Sequence, residues 1–140
     1  MQITTQSTGS GIGISQAVSG LAQIGASGAY LSNAMMKQHA GMLNIPLAIS
    51  SQMVNFNLPG LNKDHIKLSG PVLADIYMGK ITMWNHPQIA AMNQGVKLPA
   101  QKIIPVHRTD GSGDTFIFTQ YLSATTPAWL SSIAYGTTVS

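Results

Sequence analysis

Residues 103–122 constrain the fold most strongly, because their character changes from β-like to helical across a short polar turn. Residues 103–106 predict a strand, residues 108–114 a glycine-bearing turn, and residues 116–122 an amphipathic helix. A helix that begins at such a turn directs unpaired backbone N–H groups and the positive end of its dipole towards one place. The turn is therefore a candidate anion site.

Arg108 stands at the edge of this turn and is the single arginine of the chain. Its planar guanidinium can hold an oxyanion through paired hydrogen bonds. A Gly-Ser-Gly turn before a helix is most often only a capped loop, and Asp114 could simply complement the helix dipole. The turn matches neither the nucleotide P-loop nor the hydrolase nucleophile elbow. The arginine nevertheless favours the anion-site interpretation.

The beginning of the chain repeats the same pattern. Residues 3–6 predict a strand, residues 7–13 a turn rich in glycine and serine, and residues 14–21 a helix. The glycine spacing in this turn misses the dinucleotide fingerprint G-x-G-x-x-G by one position. Each of the two turns has a serine at its centre, Ser10 in one and Ser112 in the other. Two such turns in one short chain strengthen the prediction of an anion site.

The remaining segments alternate between helical and β-like character, which predicts an α/β fold. Pro71 and Gly79 bracket one predicted helix, and Gly95 ends another. The further predicted helices are residues 33–39 after a Ser32 cap, 72–78, 89–92 and 127–134. The further predicted strands are residues 22–27, 42–57 and 66–68.

Composition narrows the class of ligand. The chain has 140 residues, enough for one ordinary domain, and only 8% of them are charged, compared with the usual quarter. Lys and Arg outnumber Asp and Glu by 7 to 4, a small excess that suits a small anion. Nucleic acid is not expected as a partner, because the sequence contains no basic run. No apolar run reaches the length of a membrane span, and no signal peptide is recognised after Met1.

The titratable residues do not form a pattern for metal binding or catalysis. The four histidines are scattered without ligand spacing, so we expect no metal and no cofactor. Their positions are His39, His65, His86 and His107. Asp110 and Asp114 are close in sequence, but no nucleophile accompanies them. We therefore expect a binding protein rather than an enzyme.

The turn at residues 107–116 resembles the phosphate-binding loop of the extracytoplasmic phosphate-binding proteins of the PstS type, which serve ABC importers. Residues 73–84 are similar to a helix and tryptophan turn of that family, and residues 54–61 to its interlobe strand. Residues 9–11 and 25–27 fall where the family has its first-lobe turns. The resemblance implies a substrate-binding protein for phosphate uptake. It would be periplasmic or at the cell surface, with an ABC importer membrane complex as its partner.

The resemblance also implies roles for individual residues. The residues implied to contact inorganic phosphate, or a similar tetrahedral oxyanion, are Ser10, Arg108, Ser112, Gly113 and Asp114. The supporting residues are Gly9, Gly11, Ser27 and Asp110. Asp110 would orient the guanidinium by a salt link. Asp114 could accept a proton still carried by phosphate, which fully ionised sulfate lacks.

Two features depart from the family. Gly28 stands where the family has an aspartate, so weaker discrimination against sulfate is expected unless Asp114 takes over. The family chain is also considerably longer, and this sequence corresponds to about its middle half. We therefore predict an incomplete periplasmic-binding-protein fold of type II, with a partial first lobe in residues 1–58 and a partial second lobe in residues 59–140. Sheets that lack partner strands expose their edges, which favours a homodimer.

Two other hypotheses stay open. One is a truncated relative of these binding proteins that no longer binds ligand and acts as a self-associating structural module. Gly28 and the missing first loop of the family favour this alternative. The other is an enzyme acting on phosphate esters, which ranks last because no activated nucleophile and no metal set are recognised.

Overall fold

The structure, a computed structural model, describes residues 2–61 and 65–140. Six α-helices are assigned within these ranges. They are α1 (Ser10–Val18), α2 (Asn33–Gln38), α3 (Gly70–Tyr77), α4 (Pro87–Met92), α5 (Gly113–Thr125) and α6 (Pro127–Ser132). All six predicted helices are confirmed, with ends displaced by a few residues. None of the helices in the described ranges has the length and hydropathy needed to span a membrane.

Local capping explains where several helices begin and end. The Ser32 hydroxyl accepts a hydrogen bond from Met35 N at 3.3 Å at the start of α2. Ser69 caps α3 in the same way, and Pro71 occupies its first turn. Gly79, one residue beyond the C-cap of α3, has φ +73°, a conformation that strongly favours glycine. These are short-range effects, which is why the sequence predicts the helices well.

The predicted strands are not formed in the described part of the chain. The β pairing there is one isolated antiparallel bridge between Met83 and Lys102. Strand 42–57 was predicted from alternating apolar residues, but residues 43–57 make no backbone–backbone hydrogen bond to any other described residue. Strand 103–106 has a single ladder bond, from Ile103 N to Thr82 O at 2.8 Å. A strand requires a hydrogen-bonded neighbour, so alternation alone does not produce one, and the α/β class is not confirmed.

The chain forms two compact units. The first unit contains Met1–Gln52, Arg108–Gln120 and Tyr135–Ser140; the second contains Met53–His107 and Tyr121–Ala134. The turn at Arg108 therefore belongs to the same unit as Ser10, although nearly one hundred residues separate them. The lobe assignment at residues 58 and 59 stays a prediction.

An aliphatic cluster forms the core of the second unit. Its buried members are Val72, Ile76, Ile81, Ile89 and Ile103. Asn93 is buried beside this core, and its amide holds the backbone of Lys67 with bonds of 2.7 and 2.9 Å. The loop at residues 66–68, predicted as a strand, is thus fixed by a side chain rather than by a β ladder.

Candidate anion-binding site

Ser112 organises the start of α5. Its hydroxyl oxygen accepts from the backbone N–H groups of Asp114 and Thr115 at 3.2 and 3.4 Å. Its own N–H donates to Thr137 O at 2.9 Å, and the residue is only 2% exposed. Because the oxygen acts as an acceptor for two N–H groups, the hydroxyl proton is directed elsewhere. Ser112 is therefore the cap of α5.

The Ser10 turn lies directly beside this helix start. Gly11 N donates to Gly111 O at 2.9 Å, which joins the first turn of α1 to the loop before α5. Ser10 Oγ accepts from Gly28 N at 3.1 Å. The N-cap of α1 is Gly9, which has no side chain to cap the helix. Two helix N-termini thus meet within the first unit, and both direct partial positive charge towards this region.

Glycines allow the turns to approach this closely. A β-carbon on Gly113 would lie 2.6 Å from Ser10 Oγ and 2.7 Å from Gly28 Cα. A β-carbon on Gly11 would lie 2.9 Å from Gly111 Cα. These separations are shorter than van der Waals contact, so a side chain would force the loops apart. The structure gives a packing reason for Gly11 and Gly113 that the sequence pattern alone does not provide.

Arg108 and Asp110 form the ion pair expected from the resemblance. Arg108 Nε donates to Asp110 Oδ1 at 2.7 Å, and Nη2 donates to Oδ2. This hydrogen bonding lowers the pKa of the Asp110 carboxyl and raises the pKa of the guanidinium. Both side chains are about half exposed, so the pair holds Arg108 in place at the surface of the turn. A β-carbon on Gly9 would lie 2.9 Å from Asp110 Oδ2, so the pair packs against the Ser10 turn.

The charges of the turn do not by themselves attract an anion. Residues 108–114 carry one guanidinium and two carboxylates, those of Asp110 and Asp114. The Asp114 side chain also interacts electrostatically with Arg108, as its contribution to the raised pKa of the guanidinium indicates. An anion would therefore depend on hydrogen bonds from hydroxyl and N–H groups and on the two helix dipoles.

Ser27 has a local role. Its hydroxyl oxygen accepts from Ala29 N at 2.9 Å and so stabilises the turn that presents Gly28.

Within the described ranges, no three His, Cys, Asp or Glu side chains come together as a metal site would require.

Comparison with known proteins defines the family. Residues 1–137 match a family model described as a PBP superfamily domain. The chain belongs to the PBP superfamily. The predicted resemblance to phosphate-binding proteins is also confirmed, because this PBP domain has several relatives of that name.

Three of these relatives are named Phosphate-binding protein PstS. The PBP domain is 42% identical to the protein of Pasteurella multocida, 38% to that of Haemophilus influenzae and 37% to that of Methanocaldococcus jannaschii. Each match covers 99% of this chain but only 40%, 41% and 37% of the respective relative. The chain thus spans about two fifths of the length of these proteins.

The PBP domain also contains an apolar cavity that sequence reasoning missed. It has a volume of about 460 Å³ and lies within the first unit. Tyr30, Phe116 and Tyr135 contribute aromatic rings to its wall, and Phe116 packs edge-on against both tyrosines at 5.1 and 5.6 Å. Gly11 lines the cavity as well, so the cavity begins next to the Ser10 turn.

Sequence reasoning also missed the crossing of α1 with residues 25–28. A β-carbon on Gly25 would lie 2.2 Å from Gly13 O, and one on Gly13 would lie 2.4 Å from Ala26 O. The available signal was the density of glycines in both segments, which is typical of close backbone approach. Their partners could not be assigned from sequence, because the contacts join segments more than ten residues apart.

Proposed function

We propose that this PBP domain binds inorganic phosphate, or a similar tetrahedral oxyanion, at the Ser10 turn and the turn of Arg108–Asp114. The observation that carries the proposal is that the N-termini of α1 and α5 lie side by side. Ser10 Oγ is so close to Gly113 that a β-carbon there would lie 2.6 Å from it. Backbone N–H groups, hydroxyls and a guanidinium are donors suited to an oxyanion. The names of the relatives support phosphate as that anion.

Each predicted ligand has a chemical role in this proposal. Ser10 and Ser112 each accept N–H bonds on oxygen, so their hydroxyl protons can be donated to the ligand. Arg108 supplies the positive charge, held in orientation by Asp110. The absent side chain of Gly113 lets the Ser10 turn lie directly against the start of α5. Asp114 would contribute its carboxylate rather than its N–H, because that N–H is bonded to Ser112.

We assign this binding to a substrate-binding protein that delivers phosphate to an ABC importer, outside the cytoplasmic membrane. Lobes corresponding to residues 1–58 and 59–140 would take part in holding the ligand. The role is binding without turnover, since the site carries donors for an anion but no nucleophile paired with a base. The relatives' names and the PBP family support this assignment.

Discrimination between phosphate and sulfate should be modest. Gly28 has no side chain with which to accept a proton from phosphate, and Asp110 is engaged by Arg108. Asp114 is the remaining carboxylate of the turn, and it is exposed to water. Since solvent screens an exposed charge, its repulsion of sulfate is weaker than that of a buried group.

Isothermal titration calorimetry with phosphate and with sulfate tests the proposal. Phosphate should bind to the wild type, and Arg108→Ala should weaken binding by at least tenfold, because a charged hydrogen bond contributes about 1.5–3 kcal/mol. Lys80→Ala is the matched control: it also removes a positive charge, but from an ion pair with Asp75 in the second unit. Absence of phosphate binding, or equal loss in both variants, would overturn the proposal.

A further inference from the structure

Residues 135–137, which we call the Gly136 segment, belong to the first unit and are attached to the beginning of α5. Ser112, the cap of this helix, donates its N–H to Thr137 O at 2.9 Å. Gly136 N donates to Thr119 Oγ1 at 3.3 Å, about two turns further along the helix. The segment thus has one backbone bond at the cap of α5 and another within the helix.

The Thr119 side chain provides the second of these attachments. Thr119 is only 2% exposed, and its hydroxyl donates to Thr115 O at 2.7 Å, in the preceding turn of the helix. The same oxygen accepts from Gly136 N, so one hydroxyl joins the segment to the backbone of α5. Removing the hydroxyl would leave a half-buried Gly136 N–H without this acceptor.

Two routes of hydrogen bonds connect Thr119 with Ser112. One runs inside the helix, because Thr115 O accepts from Thr119 while Thr115 N donates to Ser112 Oγ at 3.4 Å. The other runs through the Gly136 segment to Thr137 O and the Ser112 N–H. Hydrogen bonds arranged in series strengthen one another, so the network holds Ser112 at both its backbone and its side chain.

The precision of this hold matters for an anion. A binding site needs its donors within about 0.5 Å of the correct geometry, and the groups around each donor supply that precision. Ser112 is only 2% exposed and has its N–H and its hydroxyl oxygen engaged in the network. Freedom at Ser112 would therefore weaken binding even though every ligand residue is still present.

We propose that Thr119 is a positioning residue of the anion site, which keeps the Gly136 segment against α5 so that Thr137 fixes Ser112. The inference rests on the proposed function, in which Ser112 is a phosphate ligand. Thr119 follows Ser112 by seven residues, which corresponds to about 10 Å along a helix, so it acts through other residues rather than on the anion itself.

The expected effect is moderate, because the segment has other contacts. The ring of Tyr135 packs edge-on against Phe116, with centroids 5.6 Å apart, and Thr137 O still meets Ser112 N. Loss of the Thr119 hydroxyl therefore loosens the segment without releasing it. Thr119→Val should weaken phosphate binding about fivefold, which is the equivalent of one hydrogen bond of about 1 kcal/mol.

Isothermal titration calorimetry with phosphate tests the effect on binding. Thr119→Ser retains the hydroxyl and should bind phosphate nearly as the wild type does. Thr125→Val is the matched control: Thr125 also donates to the carbonyl four residues before it, at 2.9 Å, but in the part of α5 that belongs to the second unit. Equal affinity of Thr119→Val and Thr125→Val, or a Thr119→Ser variant as weak as Thr119→Val, would overturn the inference.

Amide hydrogen exchange of Ser112, followed by NMR without phosphate, supplies a readout that needs no ligand. Thr119→Val should accelerate this exchange at least threefold, because the bond to Thr137 O opens more often. Thr125→Val should change it much less, and circular dichroism checks that both variants keep their helices. Unchanged exchange in Thr119→Val would overturn the inference alone. A wild type without affinity for phosphate would overturn the proposed function as well, so the two failures are distinguishable.

Discussion

Replacement of Ser112 by alanine separates the stability of α5 from its role in binding. The hydroxyl caps two N–H groups of a buried helix start, so Ser112→Ala should destabilise the protein by about 1 kcal/mol. Ser69→Ala is the matched control, because Ser69 caps α3 through one bond of 3.4 Å to Val72 N. Ser69→Ala should lower the free energy of unfolding by a similar or slightly smaller amount. For a chain of this size either change lowers the melting temperature by about 3 °C.

The binding effect should distinguish the two variants. If Ser112 donates its hydroxyl proton to phosphate, phosphate should raise the melting temperature of the wild type and of Ser69→Ala alike. The increase should be clearly smaller for Ser112→Ala at the same phosphate concentration. Differential scanning calorimetry with and without phosphate measures both quantities. Equal stabilisation of all three proteins by phosphate would refute the role of Ser112 as a ligand.

Three further changes test other parts of the structure. Gly113→Ala should lower the free energy of unfolding by about 1–3 kcal/mol in a denaturant titration, and it should also weaken phosphate binding, because the new methyl group overlaps the Ser10 turn. An unchanged free energy of unfolding would contradict the close packing. Asp110→Asn should be slightly less stable than the wild type at neutral pH, because the lowered pKa of Asp110 stabilises the fold above the ordinary aspartate range. The difference in stability should disappear as the pH falls through the lowered pKa of Asp110, and a difference that grows with added acid would contradict this. Asn93→Ala should lower the free energy of unfolding in urea by about 2–4 kcal/mol, because it leaves the backbone N–H and C=O of Lys67 without their partner. A smaller decrease than that of Ser69→Ala would contradict this.

The helices could be predicted because their signals are local. Ser32 caps its helix from one residue before it, and Pro71 and Gly79 mark the two ends of α3. Each of these effects acts within one turn of helix, so a short window of sequence contains the information.

The strands could not be predicted in the same way, because pairing depends on a partner elsewhere in the chain. Ile45, Leu47 and Ile49 alternate as in a strand with one buried face, yet these residues are exposed and their backbone is not paired. Residues 66–68 show the opposite case: the backbone of Lys67 bonds to the side chain of Asn93, a buried polar residue 26 positions away in sequence. A sequence pattern does not identify such partners.

The residue pattern alone predicts the candidate site as two separate turns, and it is the resemblance to phosphate-binding proteins that assigns both turns to one ligand. Gly-Ser-Gly motifs and a single arginine indicate anion chemistry at Ser10 and Arg108 separately. Their meeting depends on the missing β-carbons of Gly11 and Gly113 and on the intervening turn at Gly28. These are long-range contacts between backbones, which leave no trace in the pattern of either segment beyond the presence of glycine.

The central claim is that one anion is held jointly by the start of α1 and the turn before α5. A crystal structure of the protein grown with arsenate, a heavier analogue of phosphate with an anomalous signal, tests it directly. The account predicts one tetrahedral ion within hydrogen-bonding distance of the Ser10 hydroxyl, the Arg108 guanidinium and the N-terminus of α5. An ion bound elsewhere, or a site without density at saturating arsenate, would contradict it.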